Sequence, residues 1–401
     1  MTFDALDHAH MARALRLAER GLQTTQPNPR VGCVLAHSDE VVGEGWHERA
    51  GEPHAEVFAL RAAGARARGA TAYVTLEPCA HFGRTPPCAE ALIAAGVARV
   101  VAACEDPNPK VAGGGFAACR AAGIAVDVGL MRDAARELNR GFLSRIERGR
   151  PWVRVKLAQS LDGRTALANG ASQWITGPAA RADVQRWRAR SSAILTGSGT
   201  VLADNPRLTV RINSLSPDAV GGEGRGEGAA PSPASTQGLH HALTQPSPPN
   251  EFGGEGYKPL RVVLDRTLRT PAGANVLDGS TPTLILHAPH AAPTDTRFAA
   301  AELVPVALDT DGPLDLAAVL EFLAARGVNE LQVEAGATLC GPLFARGLVD
   351  ELLLYVAPLL LGDSARPLMA LPPLARMADA PRWRVLDRRS VGSDIRILLR
   401  E

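Results

Sequence analysis

Apolar residues recur at helical spacing from the start of the chain. Ala9, Ala12, Leu15, Ala18 and Leu22 fall on one face of a 3.6-residue repeat. The period then shortens. VGCVLA and VVGEGW are short apolar runs on either side of the polar turn HSDE, a pattern that predicts a hairpin. AEVFALRAAGARARG predicts a helix closing at Gly69, and TAYVTL a buried strand. CAEALIAAG, ARVVAACED, AACRAAG and AVDVG continue the series as helix, strand, helix and strand. The alternation predicts a three-layer α/β/α domain over residues 1–148, with helices on both faces of one sheet.

After RGRP at 148–151 the pattern restarts. WVRVKLA is an alternating strand, PAARADVQRWRARS a helix and SAILTGS a buried strand. RVVLD, TLILH and LQVE are further strands, with helices DLAAVLEFLAARG and TLCGPLFARG among them. VDELLLYVAPLLLG and VLDRRSVGSDIRILLR close the chain as strands expected to be antiparallel. A second α/β domain is therefore expected over 151–401. Residues 213–258 break the plan, being rich in Gly, Pro and Ser, with GGEG occurring twice. So little aliphatic content cannot offset the entropy of ordering, and the segment is expected to be a disordered insertion between two strands.

A chain of 401 residues with 46% hydrophobic and 21% charged residues supports two cores. Lys and Arg number 43 against 42 Asp and Glu, a formal net charge of +1. That balance argues against a nucleic-acid partner held through phosphate contacts, which calls for a basic excess. MTFDALDHAHMARALRLAERG lacks the apolar core of a signal peptide, and LLLYVAPLLLG is too short to span a bilayer. The expectation is a cytoplasmic protein with no membrane partner. In a reducing compartment, six cysteines point to metal ligation or burial rather than to disulfides.

Four residues stand out chemically. His54, Cys79 and Cys88 offer one nitrogen and two sulfurs, a set suited to a tetrahedral zinc that keeps one position open for water. Glu56, two residues after His54, is poorly placed as a fourth ligand but well placed to move protons between water and substrate. His54 and Glu56 sit where a helix begins, and Cys88 opens another, where a thiolate is favoured. HAE followed by PC resembles the signature of zinc nucleobase deaminases. The cysteines, however, are separated by eight residues in PCAHFGRTPPC rather than by two. In the second half, GSGTVL lacks the last glycine of a dinucleotide fingerprint. VEAGATLCG reads either as an ordinary strand–helix turn or as a turn whose free N–H groups hold a dinucleotide phosphate.

The long inter-cysteine loop, PNPRVGCVLA, GEGWHERAGEPHAE and DPNPKVAGGG together resemble the deaminase half of the bifunctional riboflavin-biosynthesis deaminase/reductase family. VKLAQSLDGRTA, SQWITG, LTGSGTVLADNPRLTVR and VEAGATLCGPLF resemble its reductase half, whose fold is similar to dihydrofolate reductase. The resemblance implies one Zn²⁺ in the deaminase site and NADPH in the reductase site. It places Asn28 and His47 at the pyrimidine, and His81 and Arg84 at the ribose phosphate. It assigns Ala158, Trp174, Thr200, Asp204 and the turn Gly336, Ala337, Thr338, Leu339, Cys340 and Gly341 to the cofactor. Ser172, Arg188, Leu208, Arg211 and Glu334 fall to the reductase substrate. Taken singly, His81 and Arg84 also fit as solvated surface residues, and the reductase arginines as surface ion pairs.

The implied partner is a phosphorylated pyrimidine, deaminated first and then reduced from ribosyl to ribityl, in a homo-oligomer (dimer or tetramer). A nucleic-acid-editing deaminase with a C-terminal binding module is the alternative enzyme. A zinc-stabilised interaction protein is the non-enzymatic one.

Overall fold

The computed structural model describes residues 3–80, 87–109, 111–211 and 258–401. His81, Arg84 and all of the expected insertion except Lys258 lie outside them. The described residues form two compact units, one ending at Arg148 and the other beginning at Gly149.

The first unit is built on a five-stranded sheet of order β2-β1-β3-β4-β5. Its strands are β1 (Gly32–His37), β2 (Glu40–Trp46), β3 (Thr71–Val74), β4 (Arg99–Ala102) and β5 (Ala125–Val128). β1 pairs antiparallel with β2 and β3, while β3, β4 and β5 run parallel. Side chains on a strand alternate between faces, and both faces are buried here. Cys33, Leu35, Ala72, Val74, Val100 and Ala102 meet Ala55, Ala59, Ala63, Leu92 and Phe116. These come from α2 (Ala55–Ala63), α3 (Cys88–Ala95) and α4 (Gly114–Ala121). Val34, Ala36, Tyr73 and Val101 meet Met11, Ala14, Leu15, Ala18, Ala135 and Leu138. The latter belong to α1 (Ala5–Glu19) and α5 (Arg132–Leu138); α6 (Arg140–Arg148) closes the unit. The sheet is thus sandwiched, as the apolar pattern predicts.

The helix expected to reach Gly69 stops earlier. α2 ends at Ala63 because Gly64 turns to φ +55°, and a 3₁₀ turn carries the chain through Ala67. α2 lies directly on β2. A β-carbon on Gly43 would stand 2.3 Å from the Ala59 carbonyl oxygen, and one on Gly45 2.5 Å from the Phe58 Cβ. Glycine at these two positions lets the helix that begins at His54 seat without an intervening side chain.

The second unit contains a nine-stranded sheet of order β11-β10-β9-β8-β12-β6-β13-β16-β15. The strands that carry the argument are β6 (Trp152–Ser160), β8 (Ala193–Gly197), β9 (Leu260–Leu264), β10 (Thr283–His287), β12 (Glu330–Val333), β13 (Glu351–Ala357) and β16 (Asp394–Arg400). β7 (Arg164–Ala166) and β14 (Arg366–Pro367) form a separate two-stranded ladder. β11 (Glu302–Pro305) and β15 (Arg384–Val391) are the two edges of the large sheet.

β13 differs from expectation. It runs parallel to β6 and antiparallel only to β16. An apolar run buried on both faces fits a parallel neighbour as well as an antiparallel one, so hydrophobicity alone does not decide its direction. One face of the sheet packs Val153, Val155, Leu331, Val333 and Leu195 against Val319, Leu320, Leu323 and Leu343. The last four lie on α9 (Leu316–Ala325) and α10 (Ala337–Ala345). On the opposite face, Val184 and Trp187 of α7 (Pro178–Ala189) meet Leu353, Tyr355 and Leu398. α8 (Ser198–Asp204) follows β8.

Candidate active sites

In the first unit, three elements bring the sequence-predicted ligands together. His54 occupies the N-cap of α2, Cys88 the first position of α3, and Cys79 the loop after β3. The ligand atoms of all three lie within 4.8 Å of one another. His54 Nδ1 is 3.2 Å from Cys88 Sγ and 3.6 Å from Cys79 Sγ. The edge of a tetrahedron built on zinc bonds of about 2.0–2.3 Å is about 3.5 Å, so the donor set fits zinc in identity and in spacing. The two cysteines are also tied through the backbone. Cys88 N–H donates to Cys79 Sγ at 3.3 Å, and Ala89 N–H to the Cys79 carbonyl at 3.1 Å.

The sulfurs divide their protons unequally. The hydrogen bond from Cys88, with help from His54, pulls the Cys79 thiol down to about 4, whereas the Cys88 thiol is pushed up. Glu56 is buried at 3% exposure, and its Oε2 has no hydrogen-bond partner among the described residues. Burial raises this carboxyl to about 7, opposed by the charge of His54. A carboxyl that gains and loses its proton near neutrality, with one oxygen uncommitted, is equipped for proton transfer.

His47 and Asn28 join the same site. The His47 ring stands edge-on to His54 with centroids 5.4 Å apart. Its Nδ1 is 3.1 Å from the Pro53 carbonyl, which only accepts, so Nδ1 carries the proton. Nε2 then accepts from Asn28 Nδ2 at 3.1 Å. Burial keeps this imidazole's pKa below its ordinary value, in accord with that neutral tautomer.

The second site gathers at the C-terminal ends of adjacent parallel strands, where ligands of open α/β sheets bind. Glu334 follows β12, and Arg188 of α7 forks onto it, Nε and Nη2 each 2.7 Å from a carboxylate oxygen. Gln332 Nε2 donates to the same carboxylate at 2.7 Å. Burial works to raise the Glu334 carboxyl, but Arg188, Lys156 and Gln332 outweigh it and hold it at about 2. Arg211 feels the repulsion of Arg188 and Arg207 in addition to its burial. Arg188, Glu334 and Arg211 therefore form one charged cluster.

Sequence reasoning did not single out Lys156. Burial lowers the pKa of its ammonium while Glu334 opposes that shift. Its signal was the single lysine of the strand-forming run WVRVKLA, two residues after Arg154.

Ser172 Oγ donates to Asp204 Oδ1 at 3.2 Å, joining two further predicted residues. Leu208 is buried at φ +48°, and Ala158 lies on β6. Trp174 is 67% exposed, with the Arg181 guanidinium 4.6 Å from its ring centre. Gly336 is the N-cap of α10, which has no side-chain cap, and space beside Gly336 and Gly199 is open. That arrangement leaves backbone N–H groups and room for a phosphate, so these residues fit a dinucleotide. Leu339 reaches toward Gly197 at the end of β8, and Thr200 lies in the helix that follows. Cys340 turns into the core, and Gly341 lies against the backbone of Ala370, so this end of the turn serves packing.

Residues 4–104 match the family model of the cytidine and deoxycytidylate deaminase zinc-binding region. Residues 151–397 match the RibD C-terminal domain. The chain belongs to the RibD family. It is 48% identical to riboflavin biosynthesis protein RibD of Escherichia coli, over 97% of this chain and 98% of that protein. The RibD of Haemophilus influenzae is 46% identical over 99% and 98%. Among solved structures, Acinetobacter baumannii RibD superposes with a TM-score of 0.82 at 42% identity, covering 98% of both chains. A Thermotoga maritima protein described as a diaminohydroxyphosphoribosylaminopyrimidine deaminase and 5-amino-6-(5-phosphoribosylamino)uracil reductase gives 0.78 at 28% identity, again over 98% of both. RibD-family membership makes this chain a bifunctional deaminase and reductase of riboflavin biosynthesis, with a zinc-dependent hydrolase step and an NADPH-dependent reductase step. Among the described residues, no helix is long and apolar enough to cross a membrane.

Proposed function

We propose that the first unit deaminates a diaminopyrimidinone ribosyl phosphate and that the second reduces the ribosyl group of the product to ribityl. The juxtaposition of His54, Cys79 and Cys88 with a Glu56 carboxylate oxygen that has no partner among the described residues carries the deaminase reading. Zinc, when bound, supplies a Lewis acid that lowers the pKa of a water molecule. Glu56 would accept a proton from a water molecule in this site, as its oxygen adds to the amino-bearing carbon, and return a proton to the amino nitrogen as the carbon–nitrogen bond breaks and ammonia leaves. His47, fixed in one tautomer, orients Asn28 so that its carboxamide oxygen faces the pyrimidine. His81 and Arg84 bind the ribose phosphate, imidazole and guanidinium both suiting a dianion.

In the second unit, Gly336, Ala337, Thr338 and Leu339, with Ala158, Trp174, Thr200 and Asp204, hold NADPH, whose chemistry is hydride transfer; Cys340 and Gly341 serve packing instead. Ser172, Leu208, Arg211, Arg188 and Glu334 hold the substrate. Lys156, half-buried and within electrostatic reach of Glu334, is the group we assign to hand a proton to the opening ribose oxygen. We place the boundary between the two functions at residues 148–151, and the protein in the cytoplasm as a dimer or tetramer that binds no nucleic acid. The near-neutral charge supports the last point.

The test is an assay with the diaminopyrimidinone phosphate, with and without NADPH. Ammonia should appear in both, and nicotinamide absorbance should fall only as deaminated product accumulates. Ammonia release without NADPH oxidation would remove the second half of the reading, and Arg84→Ala with an unchanged KM would remove the phosphate assignment.

A further inference from the structure

Glu77, in the sequence TLEPC, is 4% exposed and makes no salt bridge with a described residue. Its carboxylate is nevertheless fully engaged. Oε1 accepts from the backbone N–H of Gly115 at 3.0 Å and of Phe116 at 3.3 Å. Oε2 accepts from Gly113 at 3.0 Å and Asp106 at 3.3 Å. Three of these four donors belong to the first turn of α4 or its N-cap. That helix begins Gly-Gly-Gly and has no side-chain cap of its own. The open N–H groups of a helix start need an acceptor, and a carboxylate there is further favoured by the helix dipole. Glu77 supplies it from 36 residues or more away.

The fit is close. Gly113 sits at φ +75°, a left-handed conformation that favours glycine. A β-carbon on Gly115 would stand 1.8 Å from the Pro78 carbonyl oxygen, and one on Gly114 3.4 Å from the Ala80 Cβ. Asp106 and the start of α4 are thus clamped by hydrogen bonds to Glu77, and the helix start also by contact to Pro78 and Ala80. Those residues flank Cys79 on both sides. The Glu77 backbone is fixed as well, its N–H donating to the Cys104 carbonyl at 3.0 Å.

We propose that Glu77 is a positioning residue of the deaminase, locking Asp106 and the start of α4 to the loop that carries Cys79, so that the ligand and the wall beside it form one body. The proposal rests on the zinc reading of His54, Cys79 and Cys88. The donors it organises extend to Phe116, past residue 104, where the match to the zinc-binding family model ends.

Glu77→Gln tests it in the full chain. The glutamine oxygen can satisfy two of the four N–H groups, but its NH₂ must then face the other two donors. The expected result is zinc release to a chelator faster by about 10- to 100-fold, the usual cost of losing a group that supports a metal ligand. Deaminase kcat should fall with it, and reductase activity should hold. Gly115→Ala pushes the same helix start off Pro78 sterically, so its effect and that of Glu77→Gln should be strongly non-additive. It also carries the test alone if the glutamine variant does not fold.

Zinc release and deaminase kinetics equal to the parent chain in folded Glu77→Gln would overturn the proposal. So would a lowered melting temperature with unaltered zinc release in the folded state, because that outcome makes Glu77 a helix cap only. A parent chain that binds no zinc would instead overturn the zinc reading itself.

Discussion

His47 lies edge-on to His54, ring planes at 86°, and passes the contact on to Asn28 through Nε2. A residue on the β2–α2 connection thereby links a metal ligand to the residue expected at the pyrimidine. His47→Phe keeps a ring against His54 but removes both hydrogen bonds. The expected result is a rise in deaminase KM of about tenfold, equivalent to about 1.4 kcal/mol for a lost hydrogen bond, with zinc content unchanged. Metal analysis beside ammonia-release kinetics checks it; a variant that loses zinc would assign His47 to the metal instead.

Glu56→Gln keeps the size of the side chain and removes the proton carrier. Deaminase kcat should drop by about 10²–10⁴-fold, the range for a general acid–base group. Zinc should remain, since the candidate ligand set, His54, Cys79 and Cys88, does not include Glu56. Wild-type turnover in this variant would move the proton transfer to another residue.

The two activities should separate on metal removal. Incubation with a strong chelator, or Cys88→Ser, should abolish ammonia release. NADPH oxidation with the deaminated substrate should persist, because the charged cluster of the second unit involves none of the metal ligands. Parallel loss of both would show that the units do not function independently.

Glu334 makes acid stability of the second unit predictable. Its carboxyl is held at about 2 against an ordinary 4.5, so the fold favours the ionised form. The stabilisation is fully present above pH 4.5 and is lost as pH falls through 4.5 toward 2; a shift of this size corresponds to about 3 kcal/mol. Glu334→Gln should lower the denaturation midpoint of the second unit at neutral pH, since Arg188 loses its carboxylate, and should flatten the acid slope. An identical slope in the variant would mean that other carboxylates set it.

The candidate zinc site was legible in the sequence because its residue types are rare in combination and two of its three residues, His54 and Cys88, stand at helix starts that the pattern marks. His54 and Cys88 open helices that the apolar period locates within a residue or two. The layers were legible for a similar reason: Cys33 and Leu35 alternate with Val34 and Ala36 between two cores. What escaped were relations made only by folding. Arg188 and Glu334 are 146 residues apart, and nothing local pairs them. Glu77 looks like one more polar residue until the uncapped start of α4 is placed above it. The direction of β13 depends on its neighbours, not on its own composition.

The stapling of Cys79 to Cys88 and Ala89 has a consequence for how such a site can diversify. The chain leaves the candidate metal site at one cysteine and re-enters at the other with the two ends already joined by hydrogen bonds. Residues strung between two fixed ends add little closure entropy as their number grows, about 0.6 kcal/mol for each doubling. The interval can therefore be lengthened or shortened while His54, Cys79 and Cys88 keep their spacing.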